Sequence, residues 1–318
     1  MTLSHRLFLE DAVRTQAFRD AIHEVVRPGE LVADLGTGTG VLACFACQAA
    51  ARRVYAVERK EIIETAREVA AVNGYADRIV FLRGDAADVA LPERVDVVIG
   101  ELLGPMGFEE NLLPLFERAA REHLAPGGRL VPASLAVFAA PWETPGFYGS
   151  IDFWGREHYG LRFDPLRALA MNQVYGAPLD PAGSLAPAGA LWRLVLPGLL
   201  PDPAIAALSF EVRRAGTLHG FAGWFEAGLS SRVTLTTSPS APPTHWEQTF
   251  FPVEKPVAVE PGDQVTLEVT ASGVGEQILW GWSGEIRRHD RLLGTFDAHT
   301  FRGLPFSRET FRRHQPPA

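Results

Sequence analysis

Two periodicities divide the chain. Up to about residue 132, short apolar runs alternate with stretches whose apolar positions recur every three or four residues, so buried strands should alternate with amphipathic helices. Leu31, Val32 and Ala33 read as the end of one strand, Val54-Tyr55-Ala56-Val57 as a second, Ile79 to Leu82 as a third, and Val95 to Ile99 as a fourth. A further strand is predicted around Arg129 to Pro132. Phe8, Leu9, Val13, Phe18, Ile22 and Val25 predict a single helix over residues 5 to 25, stopped by Arg27-Pro28-Gly29. Val41, Leu42, Phe45 and Ala46 form the inward face of another helix. Others are expected over Ile62 to Val72, closed by Asn73-Gly74, and over about Asn111 to His123. This alternation calls for a parallel-rich sheet with helices on both faces, a Rossmann-like α/β domain over residues 1–132.

The pattern changes at Ala133. Beyond it, strand-like stretches rich in Val, Leu, Phe and Thr are separated by Pro, Gly and Ser clusters: Leu135 to Ala139, Trp192 to Leu196, Leu208 to Arg213, Gly220 to Glu226, Val233 to Thr237, Gln248 to Phe251, Val265 to Thr270 and Ile278 to Ile286. These predict an antiparallel, β-barrel-like domain over 133–318. A helical, aromatic segment at about 146–180 interrupts it, with Phe147, Tyr148, Phe153, Trp154, Tyr159 and Phe163. An insertion of that kind suits a docking surface better than a barrel core. Gln315 to Ala318 reads as a disordered tail.

Composition narrows the classes. The 318 residues are 47% hydrophobic with a formal net charge of -8, which argues against a nucleic-acid binder working by bulk electrostatics. Lysine occurs only at Lys60 and Lys255. No apolar run approaches the roughly 18 residues of a membrane span, and the opening residues do not read as a signal peptide, so a soluble, cytoplasmic protein without a membrane partner is expected. Cys44 and Cys47 form a lone C-x-x-C inside a predicted helix; with no second pair for a structural zinc they read as packing residues, and no metal is expected.

The candidate chemistry begins at Asp34-Leu35-Gly36-Thr37-Gly38-Thr39-Gly40, between the first strand and the next helix. Glycines are wanted there because the backbone must turn tightly and approach a ligand closely, beside the free N-H groups of a helix start. Dinucleotide enzymes use a related loop. Here the spacing is G-x-G-x-G, Asp34 precedes it, and the second strand ends at Glu58. A carboxylate at that strand tip can accept both ribose hydroxyls of an adenosine cofactor, and Asp34 suits a ligand with a cationic amino-acid end. S-adenosylmethionine fits both better than a pyrophosphate does, and a dinucleotide oxidoreductase stays as a minor alternative.

The fourth strand runs into Glu101, and Glu110 follows across a stretch containing glycines and Pro105. In an open parallel sheet, ligands bind beyond the carboxyl ends of the strands, so Glu101 belongs on the cofactor side. The intervening stretch can double back, and two convergent carboxylates suit a flat, multi-donor cation such as guanidinium. Helix capping competes for Glu110, but adjacent Glu109 is the better cap for the helix that follows.

Far downstream stands Thr244-His245-Trp246-Glu247-Gln248-Thr249. Together with the Asp34 glycine loop, Glu58, the Glu101–Glu110 pair and Leu9-Glu10-Asp11-Ala12-Val13-Arg14-Thr15, it resembles the protein arginine methyltransferase family from about His5 to past residue 270. The resemblance implies an S-adenosyl-L-methionine-dependent N-methyltransferase acting on the guanidino nitrogen of arginine in a protein or peptide. It also implies site roles: Arg14 and Asp34 for the methionine carboxylate and amino ends, Gly36, Gly38 and Gly40 lining the cofactor, Glu58 for the ribose, and Asp85 with the backbone of Ala86 for the adenine. Glu101 and Glu110 would grip the substrate guanidinium, and His245 with Asp11 would form a pair bridging the barrel to the first helix, a further catalytic pair that either takes the departing proton or only fixes the site. The 146–180 insertion would be a dimerisation arm, making a homodimer.

The family's tyrosine-bearing lid helix has no counterpart ahead of the matched segment, and Leu102 and Leu103 replace the aromatic residue and methionine usual after the first glutamate. These departures leave a methyltransferase for free arginine or another small guanidino compound as an alternative, with a non-catalytic cofactor-binding scaffold as a third reading.

Overall fold

The computed structural model describes residues 2–274 and 277–303; the expected tail at 315–318 lies outside them. Instead of one N-terminal helix there are two, α1 (Thr2–Glu10) and α2 (Ala12–Val25), broken at Asp11, whose side chain accepts the Arg14 N–H at 2.9 Å and caps α2. Apolar periodicity runs through both helices, so only the capping geometry reveals the break. There follow β1 (Leu31–Leu35), α3 (Val41–Gln48), β2 (Arg53–Glu58), α4 (Ile62–Val72), β3 (Ile79–Arg83), β4 (Val95–Ile99), α5 (Leu112–Glu122) and β5 (Leu124–Val131). The five strands form a parallel sheet in the order β3-β2-β1-β4-β5, the Rossmann-like arrangement the pattern predicts. Turns, not a helix, connect β3 to β4. Strands β1 and β4 are almost wholly buried, as expected of strands covered on both faces. Cys44 and Cys47 are buried in α3, and burial pushes both thiols up, Cys47 to about 11, so they are unreactive packing groups.

The second part consists of β6 (Ser134–Trp142), α6 (Pro145–Ile151) with a short 3-10 turn at Asp152–Gly155, the hairpin β7 (Glu157–His158) and β8 (Leu161–Arg162), α7 (Asp164–Ala170), β9 (Tyr175–Ala177), β10 (Gly189–Val195), β11 (Ala204–Glu211), β12 (Gly216–Gly228), β13 (Thr234–Thr236), β14 (Gln248–Val259), β15 (Gln264–Val274), β16 (Gln277–Arg288) and β17 (Arg291–His299). The expected β-rich domain is present, with its longer strands arranged in two sheets. One runs β10-β6-β12-β14-β9 with β13 beside β12, and the other β11-β15-β16-β17. The second sheet is antiparallel throughout. The strand β17 was missed, although Thr295-Phe296-Asp297-Ala298 alternates exposed and buried positions as a half-buried strand does.

Two compact units emerge. One contains the residues up to Val137 with Trp192–Leu200 and Trp224–Gln248; the other contains Phe138–Leu191, Pro201–Gly223 and the chain from Thr249 on. A boundary near residue 132 marks the end of the parallel sheet, but the first unit also takes in β-rich segments from much later in sequence. The second unit centres on aromatic packing: Trp282 donates its indole N–H to the Pro252 carbonyl at 2.8 Å, and Phe251 lies edge-on to Trp280 and Trp282. Its 146–180 segment leaves Phe153, Tyr159, Leu161 and Leu166 exposed, with Tyr159 and Gly160 at positive φ forming the hairpin tip.

Candidate functional site

The first unit carries every residue the sequence reading selected. The turn after β1 is tied to the neighbouring strand, since Gly36 and Thr37 both donate N–H groups to the Val57 carbonyl at 2.9 Å. Gly36, Gly38 and Gly40 all adopt positive φ, at 73°, 54° and 81°. A Cβ on Gly36 would come within 3.0 Å of Leu102, which shows that the glycine turn and the Glu101–Glu110 loop are packed against each other. A Cβ on Gly38 would lie 3.4 Å from His5 of α1, a neighbour the sequence reading did not select.

Asp34 lies under this turn, fully buried. One carboxylate oxygen accepts the Thr37 hydroxyl at 2.5 Å; Oδ1 is buried with no hydrogen-bond partner. Burial pushes its carboxyl up to about 6, against the Thr37 bond and the pull of the Ala43 N–H, with the Glu58 charge adding to the rise and Arg14 opposing it. A buried carboxylate oxygen without a donor is costly unless a donor arrives, so Asp34 fits the cationic amino end of a ligand. Glu58 stands at the tip of β2, its oxygens accepting the Gly38 N–H at 3.1 Å and the Lys60 N–H at 2.8 Å. Each oxygen keeps a lone pair, enough for two ribose hydroxyls. Asp85 caps its own turn by accepting the Ala87 N–H at 2.9 Å and pairs with Arg59 at 3.5 Å, and Ala86 lies within that turn. The orphaned Asp34 oxygen, the cradle that Cβ atoms would fill and the Glu58 carboxylate therefore fit an S-adenosyl cofactor.

Next to it, Glu101 follows β4 by two residues. Its Oε2 accepts both Nε, at 2.9 Å, and Nη2 of Arg14, while Oε1 accepts the Leu103 N–H at 3.3 Å. Arg14 is buried, also donates to the Phe8 carbonyl at 3.3 Å, and stands over the Phe8 and Phe18 rings. The residue expected to meet a cofactor carboxylate thus already lies against the first of the two glutamates. Glu110 faces solvent but is flanked by protein. That surrounding mass, then the Glu101 charge, pushes its carboxyl up to about 7, with Lys60 and Arg14 pulling it down. Two carboxylates within electrostatic reach form a region of negative potential that a planar cation can neutralise.

Glu109 does not cap α5. Asn111, at φ 62°, precedes that helix with no side-chain cap bond, and Glu109 instead accepts N–H groups within the loop, from Met106 and Phe108. Left-handed backbone at Asn111 turns the chain before α5 starts, which keeps Glu109 away from the helix N–H groups.

Residues 234 positions apart close the site. Asp11 Oδ2 accepts both the backbone N–H and the ring Nδ1 of His245, each at 2.8 Å. Burial alone would raise the Asp11 carboxyl, but N–H donation from Arg14 and His245 outweighs it and holds it below the usual range. His245 packs edge-on to Phe8 at 5.0 Å and against Trp246 at 4.0 Å. Trp246 donates its indole N–H to the Leu103 carbonyl at 2.6 Å, in the middle of the carboxylate loop. The sequence reading missed that anchor, as it missed the loop role of Glu109. A Glu-Glu doublet close to a glycine was the available signal for the second; nothing local pointed to the first.

Comparison with known proteins identifies the family. Residues 133–275 match the model of the arginine methyltransferase oligomerization subdomain, and residues 14–133 match that of ribosomal protein L11 methyltransferase. Probable protein arginine N-methyltransferase 6 of Arabidopsis thaliana is 32% identical over 317 residues, covering 84% of this chain and 72% of that protein. Protein arginine N-methyltransferase 6 of Xenopus laevis is 30% identical over 283 residues, covering 84% and 83%. In fold, the chain is similar to a Trypanosoma brucei PRMT1 enzyme-prozyme complex with AdoHcy, with TM-score 0.85, 22% identity and coverage of 93% and 96%. It is also similar to Arabidopsis thaliana protein arginine methyltransferase 10, with TM-score 0.81, 24% identity and coverage of 94% and 98%. At this identity and coverage the chain belongs to the protein arginine N-methyltransferase family, whose members are S-adenosylmethionine-dependent enzymes.

Proposed function

We propose that this enzyme transfers a methyl group from S-adenosylmethionine to a guanidino nitrogen of arginine in a protein or peptide, with Glu101 and Glu110 as the carboxylates that hold the guanidinium. The observation that carries this reading is the contact between the two halves of the site: the Cβ position of Gly36 lies 3.0 Å from Leu102, the residue after Glu101. Asp34, the three glycines and Glu58 would hold the cofactor, with Asp85 and Ala86 at its adenine end and Arg14 between cofactor and Glu101. When bound, the cofactor supplies an electrophilic sulfonium methyl. The protein's task is then to hold a nitrogen close to that carbon in line, and proximity of this kind is worth about 7 to 11 kcal/mol.

A guanidinium is protonated and delocalised, hence a poor nucleophile. Glu101 and Glu110 draw its positive charge toward the nitrogens they bind and leave the remaining nitrogen richer in electron density. Glu110 must be ionised to do so, and its raised pKa makes proton loss from that carboxyl part of assembling the site. His245 and Asp11 tie the α1–α2 break to the residues beside Trp246 through two bonds to one oxygen, and this is a positioning role.

The exposed aromatic segment at 146–180 is read as the surface through which two copies form a homodimer, in a cytoplasmic enzyme. Among the described residues, no helix is long and apolar enough to cross a membrane. The test is radiolabelled methyl transfer to an arginine-rich peptide and to free arginine. Peptide labelling at arginine is the expected result; labelling of free arginine alone would move the substrate to the small-molecule class, and binding of the cofactor without transfer to either would leave a scaffold. Deleting about Ser150 to Pro178 should give monomers in sedimentation, and an unchanged profile would remove the arm assignment.

A further inference from the structure

The loop that carries the two glutamates encloses a third carboxylate. Glu109 accepts the Met106 N–H with both oxygens, at 2.8 and 3.0 Å, and the Phe108 N–H with Oε2 at 3.2 Å. Room for it comes from Gly104, where an added Cβ would lie 2.5 Å from Oε2 and 2.7 Å from the Glu109 Cβ. The loop closes behind it through the Gly107 N–H on the Gly104 carbonyl at 2.8 Å, with Gly107 at φ 92°. Met106 and Phe108 are buried.

No helix or strand runs between Ile99 and Leu112, so the placement of Glu110 relative to Glu101 depends on such ties. Trp246 holds the loop at Leu103, on the Glu101 side. Glu109 is the clamp on the Glu110 side, and it precedes Glu110 directly in the chain. Burial pushes its carboxyl up to about 7 against the pull of the loop N–H groups, and the Glu110 charge adds to the rise.

We propose that Glu109 is a positioning residue for arginine recognition: by binding the Met106 and Phe108 N–H groups inside the loop, it fixes Glu110 in its approach to Glu101. The proposal rests on the assignment of Glu101 and Glu110 as the carboxylates that hold the guanidinium. Gly104 belongs to the same device, since any side chain there displaces Glu109.

The experiment compares wild type, Glu109→Ala, Glu109→Gln and Gly104→Ala in peptide methylation kinetics, S-adenosylhomocysteine calorimetry and amide hydrogen exchange. Losing charge-assisted bonds to buried N–H groups should raise the peptide KM of Glu109→Ala by about tenfold to a hundredfold. Its cofactor Kd should stay within about twofold, because Asp34, the glycines and Glu58 are untouched. Exchange at Met106 and Phe108 should quicken while β4 and α5 stay protected. Glu109→Gln, which keeps one acceptor oxygen, should recover part of the KM, and Gly104→Ala should resemble Glu109→Ala. Parallel losses of peptide and cofactor binding, or an unchanged peptide KM, would overturn the proposal. A wild-type enzyme inactive on every arginine substrate would instead remove the function it rests on, and loop exchange then still reports whether Glu109 clamps the loop.

Discussion

The glycine turn and the carboxylate loop touch, yet they are built in different ways. The turn is a local object: Asp34 to Gly40 is continuous, and Gly36 and Thr37 hang from the Val57 carbonyl of the adjacent parallel strand. The loop is held largely from a distance, by Arg14 on Glu101 and Trp246 on the Leu103 carbonyl, with Glu109 tying it locally. A local turn can be damaged through its own backbone, whereas a distant assembly fails when any one tie is cut. That difference orders the expected effects of mutation.

The largest effect falls on the loop's chemistry. Glu101→Gln keeps shape but removes the charge that meets Arg14 and that we propose holds the substrate guanidinium, and kcat/KM should fall by about a hundredfold to a thousandfold, the scale of losing one preorganised charge-stabilising group. Steady-state methylation checks it, and a variant working at the wild-type rate would break the assignment. On the turn, Gly36→Ala forces a side chain into left-handed backbone at a cost of about 1–2 kcal/mol and presses on Leu102. Cofactor affinity should drop about tenfold in calorimetry. Because that Cβ meets the loop, peptide KM should also rise; a pure cofactor defect would mean the two regions are less coupled than their contact implies.

Asp11→Ala removes the α2 cap and both bonds to His245, and should destabilise the enzyme by about 2 kcal/mol in urea unfolding. The Asp11 carboxyl is held below its ordinary range, so its stabilisation is present above the unfolded-state pKa of about 4. It is lost as pH falls through the lower folded value, and the gap to the variant should narrow in acid.

Glu110 behaves in the opposite sense. Its carboxyl titrates at about 7, so kcat/KM should climb with pH through that value and level off above it, and Glu110→Gln should abolish the climb along with most activity. A raised folded pKa means ionisation opposes folding. The penalty is absent below the unfolded value and complete above about 7, so the smallest effect is a modest rise in the Tm of Glu110→Gln at pH 8 that disappears near pH 4. An equal Tm at both pH values would show that solvent around this open residue screens the repulsion.

Much of this was readable from residues in order. The parallel strands appear where continuous Val, Ile and Ala runs place them, because strands buried on both faces tolerate little else. β4 falls on the predicted residues and α4 likewise. The break between α1 and α2 was not readable, since both helices share one apolar stripe and a single aspartate cap separates them. β17 was missed for another reason: its alternation is confined to Thr295–Ala298, and its pairing with β16 shifts register between Ile286 and Arg287.

By itself the sequence determined the cofactor turn, since a positive-φ turn needs glycine and a buried strand needs apolar runs, and both requirements are met within a few adjacent residues. It also supplied the list of acidic and aromatic residues from which the rest is made. Only the tertiary structure decided which partner each one takes: that Arg14 lies on Glu101, that Trp246 holds Leu103, and that Glu109 turns into its own loop instead of capping α5. The physical reason is that a carboxylate's partner is set by which donors folding brings within about 3 Å, and those donors came from loops and helices up to 234 residues away.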